Sequence, residues 1–246
     1  MTQQFYVSPE QLMKDRADFA RKGIARGRSV VVLTCREGIA LVAENPSPSL
    51  HKLSEIYDRI GFAAVGKYNE FESLRQAGIR FADVRGYSYS REDVSARGLA
   101  SVYAQSLGSV FTTEGKPFEV ELAVVEVGAD PYSDHLYRLN FDGSIADESN
   151  YTVMGGQAEI VNEALARTWN QDADFPSAIR TAVRALAATR TPEGAGSGQP
   201  AEPLGAGLLE VAVLDRDPLS TRGTVRAFRR INTVELDRLL SSAEGD

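Results

Sequence analysis

A single cysteine, Cys35, and two histidines, His51 and His135, stand among 246 residues. One cysteine cannot close an internal disulfide, and two histidines argue against a multi-histidine metal centre. The patterns HExxH, GxSxG and CxxC are absent, which removes the common zinc-protease, serine-hydrolase and redox signatures. Positive charge is also scarce. With 27 Lys and Arg against 34 Asp and Glu the net charge is −7, so duplex nucleic acid and anionic membrane surfaces would repel the chain. No apolar run is long enough to span a bilayer, and Met1-Thr2-Gln3-Gln4 lacks the basic-then-apolar order of a secretory leader. A cytoplasmic protein without nucleic-acid or membrane partners is expected, and at 43% hydrophobic and 25% charged residues it reads as globular.

Local signals along the chain are strong. Ser8-Pro9-Glu10-Gln11 has an N-cap serine, a proline at the first helical position and Gln at N3, a capping box that predicts a helix. Met13, Ala17, Ala20 and Ile24 line one face of it, and Gly23 and Gly27 supply stop signals. Ser29 to Cys35 and Ile39 to Glu44 are β-rich and apolar on both faces, joined by Arg36-Glu37-Gly38 as a hairpin turn. Leu53 to Tyr57 and Ile60 to Val65 form a second strand pair. A helix is predicted from Tyr68 to Tyr87, and another capped by Ser90 with Asp93 at N3 and carried by Leu99, Val102, Tyr103, Leu107 and Val110. Strands return at Phe118 to Val127, Leu136 to Phe141 and near Tyr151 to Met154. Helices follow around Ile160 to Trp169 and after Asp174 and Pro176. Thr189 to Gly207 is rich in Gly and Pro and reads as a flexible surface loop. Strands at Leu208 to Leu214 and Val225 to Ile231, a short helix over Val234 to Leu240 and an acidic tail over 241–246 complete a single domain. Helices that come in pairs between blocks of strands disfavour βαβ winding. An α+β fold of two packed antiparallel sheets, with helix pairs on the outer faces, explains strands that are apolar on both sides.

Two glycine-rich stretches invite a nucleotide reading. Gly61-Phe62-Ala63-Ala64-Val65-Gly66-Lys67-Tyr68 has the glycines and lysine of a phosphate loop, but Tyr68 occupies the Ser/Thr position and the interior is an apolar strand. Gly194-Ala195-Gly196-Ser197-Gly198 has no strand before it and no helix after it. Cys35 beside a histidine base is the remaining nucleophile candidate, yet it closes a strand of buried character.

Taken together, Ser8-Pro9-Glu10, Phe19-Ala20-Arg21, Gly27 before the first strand, Ala43-Glu44-Asn45-Pro46 and Gly143-Ser144-Ile145-Ala146-Asp147 resemble the α-type subunits of the proteasome core particle, in their actinobacterial form. The similarity spans nearly the whole chain. It implies the four-layer αββα sandwich of the N-terminal-nucleophile hydrolases and homoheptameric α rings stacked outside catalytic β rings. Catalysis in that family needs an amino-terminal threonine whose own amine is the base. Here the first strand begins at Ser29, behind a helix and twenty-seven positions from Thr2, so no catalytic residue is expected, nor any cofactor or metal. Lys52 alone would read as a solvated lysine. The resemblance places it instead in a pocket between neighbouring subunits, lined also by Gly27 and Gly66, which receives the C-terminal tail of a hexameric AAA ATPase activator. Thr2, Gln3, Gln4, Phe5, Tyr6, Val7, Ser8 and Pro9 would form a gate over the axial pore, with Gln4-Phe5-Tyr6 in place of the family's Tyr-Asp-Arg. The alternative is an amidohydrolase of the same fold, activated by cleavage before Ser29.

Overall fold

A computed structural model describes residues 8–190, 203–218 and 226–242. Ser8 sits in extended backbone and its hydroxyl accepts the Gln11 amide at 3.2 Å, so helix α1 (Pro9–Ile24) starts where the sequence puts it. Only half of the capping box forms, because the Gln11 side chain donates to Asp15 at 2.7 Å and not back to Ser8. Gly23 is no stop signal. It lies inside the last turn, where a β-carbon would stand 2.2 Å from the Glu119 carboxylate.

The hairpin β1 (Val30–Cys35) and β2 (Gly38–Glu44) and the pair β3 (Leu53–Tyr57) and β4 (Ile60–Gly66) follow. Helices α2 (Tyr68–Ser88) and α3 (Ala96–Thr113) come next, then β5 (Val120–Glu126), β6 (His135–Leu139), β7 (Ile145–Glu148) and β8 (Tyr151–Met154). Helices α4 (Ala158–Thr168) and α5 (Phe175–Ala187), strands β9 (Leu209–Asp215) and β10 (Phe228–Ile231), and helix α6 (Thr233–Ser241) complete the order. Two five-stranded antiparallel sheets result, ordered β10-β9-β2-β1-β8 and β3-β4-β5-β6-β7.

The expected four-layer α+β sandwich is the observed one. In β1, Val30 and Val32 face the second sheet and pack with Leu53, Ala63, Val65 and Val125. Their neighbours Val31 and Leu33 point the other way, onto Val161, Leu165, Ile179 and Leu186 of α4 and α5. Phe62 and Val124 of the second sheet cover Phe71, Leu74, Leu99, Tyr103 and Leu107 of α2 and α3. Strand side chains alternate faces, so a strand in the middle of four layers must be apolar throughout. Each fully buried Leu, Ile or Phe contributes about 1.5–3 kcal/mol before entropy is counted.

Three details depart from the sequence reading. Ser90 caps a single 3-10 turn, Arg91–Asp93, and α3 starts later with Ser95, whose hydroxyl accepts the Gly98 amide at 3.2 Å. The two are split because Val94 is extended, with Arg91 held out to Asp58 and over the Tyr57 ring. Strand β7 has no apolar run because it is a half-exposed sheet edge. Strand β8 leaves the sheet of its predecessors and pairs with β1 in the other. In the Gly/Pro-rich stretch, Arg190 is ion-paired with Glu44 while Leu204 and Ala206 are buried in the core; residues 191–202 lie outside the described ones. So does most of the acidic tail, 243–246. Cys35 is fully buried and its thiol is pushed up to about 11 by desolvation, unsuited to nucleophilic work. The phosphate-loop look-alike is β4, with Gly61 to Val65 all buried. Among the described residues no helix is long and apolar enough to cross a membrane.

Candidate functional site

The loop between β2 and β3 is folded around one buried amide. Asn45 donates to the Leu50 carbonyl at 2.7 Å and to Glu210 at 2.8 Å, and accepts the Ser47 amide at 3.1 Å. Pro46 and Pro48 stiffen the path. The loop delivers Lys52 to the front of β3, where its carbonyl accepts the Ala64 amide at 3.1 Å and its own amide donates to Glu210 at 2.8 Å.

The Lys52 side chain then reaches across to the other sheet. Its ammonium donates to the Arg28 carbonyl at 2.8 Å and to the Glu44 carbonyl at 3.0 Å, bridging the residues that lead into β1 and end β2. Two of three N–H bonds are so used, and no third partner is found among the described residues. Burial lowers the Lys52 pKa from 10.5 to about 8, desolvation outweighing the opposing pull of Glu44 and Glu210, while Arg28 pushes it the same way as burial. The Glu44 carboxylate lies 3.7 Å from Arg28 and 2.8 Å from Arg190. The result is a half-buried point cation, fixed by backbone and ringed by ion pairs.

Gly27 and Gly66 are brought to the same corner. Gly27 precedes the Arg28 carbonyl that Lys52 binds, and a β-carbon on it would be 2.4 Å from Val65 and 3.3 Å from the Gly66 nitrogen. Gly66 has φ +113°, and a β-carbon there would be 1.9 Å from the Glu119 carbonyl oxygen. Both glycines are therefore demanded by the chain's own close packing. Of the gate residues, Ser8 and Pro9 form the cap and first turn of α1, while Thr2, Gln3, Gln4, Phe5, Tyr6 and Val7 lie outside the described residues.

Sequence reasoning missed Arg28, Glu44 and Glu210 as partners of Lys52. A signal for Glu210 existed: it is a lone acid in the apolar strand Leu-Leu-Glu-Val-Ala-Val-Leu. An open cavity of about 840 Å³ lies at the opposite end of the β1–β2 hairpin, lined by Arg36, Arg59, Phe175 and Arg216. Its Arg216 is already engaged by Asp134 and three backbone carbonyls, and its Arg59 by three more.

Comparison with known proteins bears on the fold and the family. A family model described as Proteasome subunit matches residues 24–199. The chain is 70% identical over 241 residues to "Proteasome subunit alpha" of Arthrobacter sp. (strain FB24), covering 98% of this chain and 99% of that one. Identity to the protein of the same name from Pseudarthrobacter chlorophenolicus is 68%, covering 98% and 100%. For that of Kineococcus radiotolerans it is 58%, covering 98% and 99%.

Proposed function

The chain belongs to the proteasome subunit family, as an alpha subunit of the core particle, and from that premise we propose that it is a noncatalytic, ring-forming subunit that gates substrate access and docks an ATPase activator. Seven copies would form each outer ring, against β subunits that carry the threonine nucleophiles, in the cytoplasm. A hexameric AAA ATPase would insert its C-terminal tails beside Lys52, with a neighbouring copy supplying the second wall of the pocket.

The observation that carries this reading is where the Lys52 ammonium points. In a catalytic relative the equivalent cation would serve a free hydroxyl and amine. Here its two hydrogen bonds go to the Arg28 and Glu44 carbonyls. Ser29 is 5% exposed, its carbonyl accepts the Glu44 amide at 3.1 Å, and the peptide before it is the one Lys52 grips. Helix α1 is also part of the core: Ala20 and Ile24 pack among Val65, Val125 and Phe141. Cleavage before Ser29 would strip those contacts as well as expose an amine, which counts against the amidohydrolase alternative.

A preset cation with one N–H left unpartnered among the described residues suits a terminal carboxylate. The ammonium has already lost much of its hydration, so pairing it with an anion recovers energy that an exposed lysine would not offer. Its backbone anchors leave little side-chain entropy to lose on binding. Ser8 and Pro9 begin α1 as its cap and first turn, and the gate is assigned to the residues that precede them in sequence. The decisive test is Lys52→Ala in the assembled particle. Stimulation of peptide hydrolysis by the activator should disappear while α and β rings still assemble; retained stimulation would reject the pocket.

A further inference from the structure

We infer that Glu210 is the positioning residue of the Lys52 recess, its carboxylate fixing the backbone from which the ammonium is presented to a terminal carboxylate. The inference rests on the activator-pocket reading of Lys52 and extends it to a residue 158 positions away in the chain.

Glu210 lies on β9, opposite Ala43 of β2, with its side chain 10% exposed. Its carboxylate gathers the Lys52 amide at 2.8 Å, the Leu53 amide at 3.2 Å, the Asn45 side-chain amide at 2.8 Å and the Arg230 guanidinium at 2.6 Å. His51 Nδ1 stands 3.2 Å away. Two carboxylate oxygens offer about four acceptor sites, so this one is saturated. Of the amides it holds, that of Leu53 opens β3, the outer strand of the second sheet, and that of Lys52 belongs to the residue just before it. Arg230 completes the clamp by donating to the Leu53 carbonyl at 2.5 Å. An edge strand with unpaired amides would be free to shift; here side chains from the first sheet replace the missing strand and hold Lys52 in register with Arg28 and Glu44.

Glu210 also acts through charge. It and Glu44 raise the affinity of the Lys52 amine for its proton, against desolvation and Arg28. The other charged or titratable groups of the cluster are His51 and Arg230 on Glu210 and Arg190 on Glu44. Neutralising Glu210 therefore does two separable things: it loosens the Lys52 backbone, and it lets the amine lose its proton at lower pH.

The test uses the assembled particle with its β partner and a synthetic peptide carrying the activator's last residues and a free carboxylate, with the amidated peptide as control. Peptide hydrolysis is followed as a function of tail concentration and of pH. For Glu210→Gln the half-saturating concentration should rise about tenfold, and the pH at which stimulation is half lost should fall below the parent's. Glu210→Asp, which keeps the charge on a shorter arm, should keep the parental midpoint yet still bind more weakly. A purely structural role would reduce assembly without moving the midpoint. Parental concentration and midpoint in Glu210→Gln, with stimulation lost in Lys52→Ala, would overturn the inference and leave the pocket standing. Parental stimulation in Lys52→Ala would overturn both. Should Glu210→Gln not assemble, Glu210→Asp decides: weaker binding supports the role and parental binding rejects it.

Discussion

Asp134 and Arg216 meet in a two-pronged ion pair, at 2.7 and 2.9 Å, that ties the two sheets together at the end away from Lys52. The carboxylate is 1% exposed and also accepts the Gly128 amide at 2.8 Å, on the connection from β5 to β6. The guanidinium, just past β9, donates to the Cys35, Arg36 and Gly128 carbonyls as well. Removing one partner leaves the other charge buried and unpaired. Asp134→Ala should therefore destabilise the chain by about 3–5 kcal/mol, lowering the melting temperature by roughly 10 °C. A loss below about 1 kcal/mol would mean that the pair contributes little. Replacing both residues by apolar ones of similar size should recover most of the loss.

Gly78 of α2 makes room for Tyr103 of α3. A β-carbon at Gly78 would lie 1.7 Å from the Tyr103 hydroxyl oxygen. Alanine ordinarily stabilises a helix interior by about 1 kcal/mol relative to glycine. Here that gain should lose to overpacking, because the ring is 2% exposed and held against Phe62, so the oxygen cannot swing away. Gly78→Ala should be destabilising by about 1–2 kcal/mol net, measured by denaturant unfolding. Adding Tyr103→Phe should restore part of it; a Gly78→Ala chain more stable than the parent would contradict the packing.

Proton loss from Lys52 should affect binding and stability in opposite directions. Its folded pKa, about 8, lies below the 10.5 ordinary for a lysine. Between the two the unfolded chain holds more protons, so this group's contribution to stability rises with pH across that window. Docking of a carboxylate tail needs the ammonium and should fall over the same start of the range. Activator stimulation lost above about pH 8, with no accompanying drop in melting temperature from this site, is the expected pairing. Stimulation that holds well above that pH would show that the ammonium is not the contact.

Deleting Thr2 to Tyr6 should raise basal hydrolysis of short peptides by the complete particle, since the exit of α1 from Ser8 and Pro9 stays intact. No change would dismiss the gate.

Intact mass spectrometry of the purified subunit should find no chain beginning at Ser29. A mature species trimmed there that hydrolyses peptides without β subunits would restore the amidohydrolase alternative.

What the sequence by itself determined is whatever rests on neighbours along the chain. The Ser8 cap, the double-sided apolar strands, the Asp174 cap of α5 and the order of helix pairs and strand blocks are local signals, and local hydrogen bonding and alternation make them legible. The same order and spacing of short motifs carried the family resemblance. The tertiary structure alone decided which sheet receives β8, that Ser95 and not Ser90 opens α3, and that Gly23 and Gly66 serve contacts with Glu119. It alone decided the surroundings of Lys52, too. Arg28 is 24 residues from it and Glu210 158 residues away, on strands of the other sheet or leading into it. No periodicity within a segment encodes a hydrogen bond between two sheets; it exists only once both have packed face to face and brought their edges together.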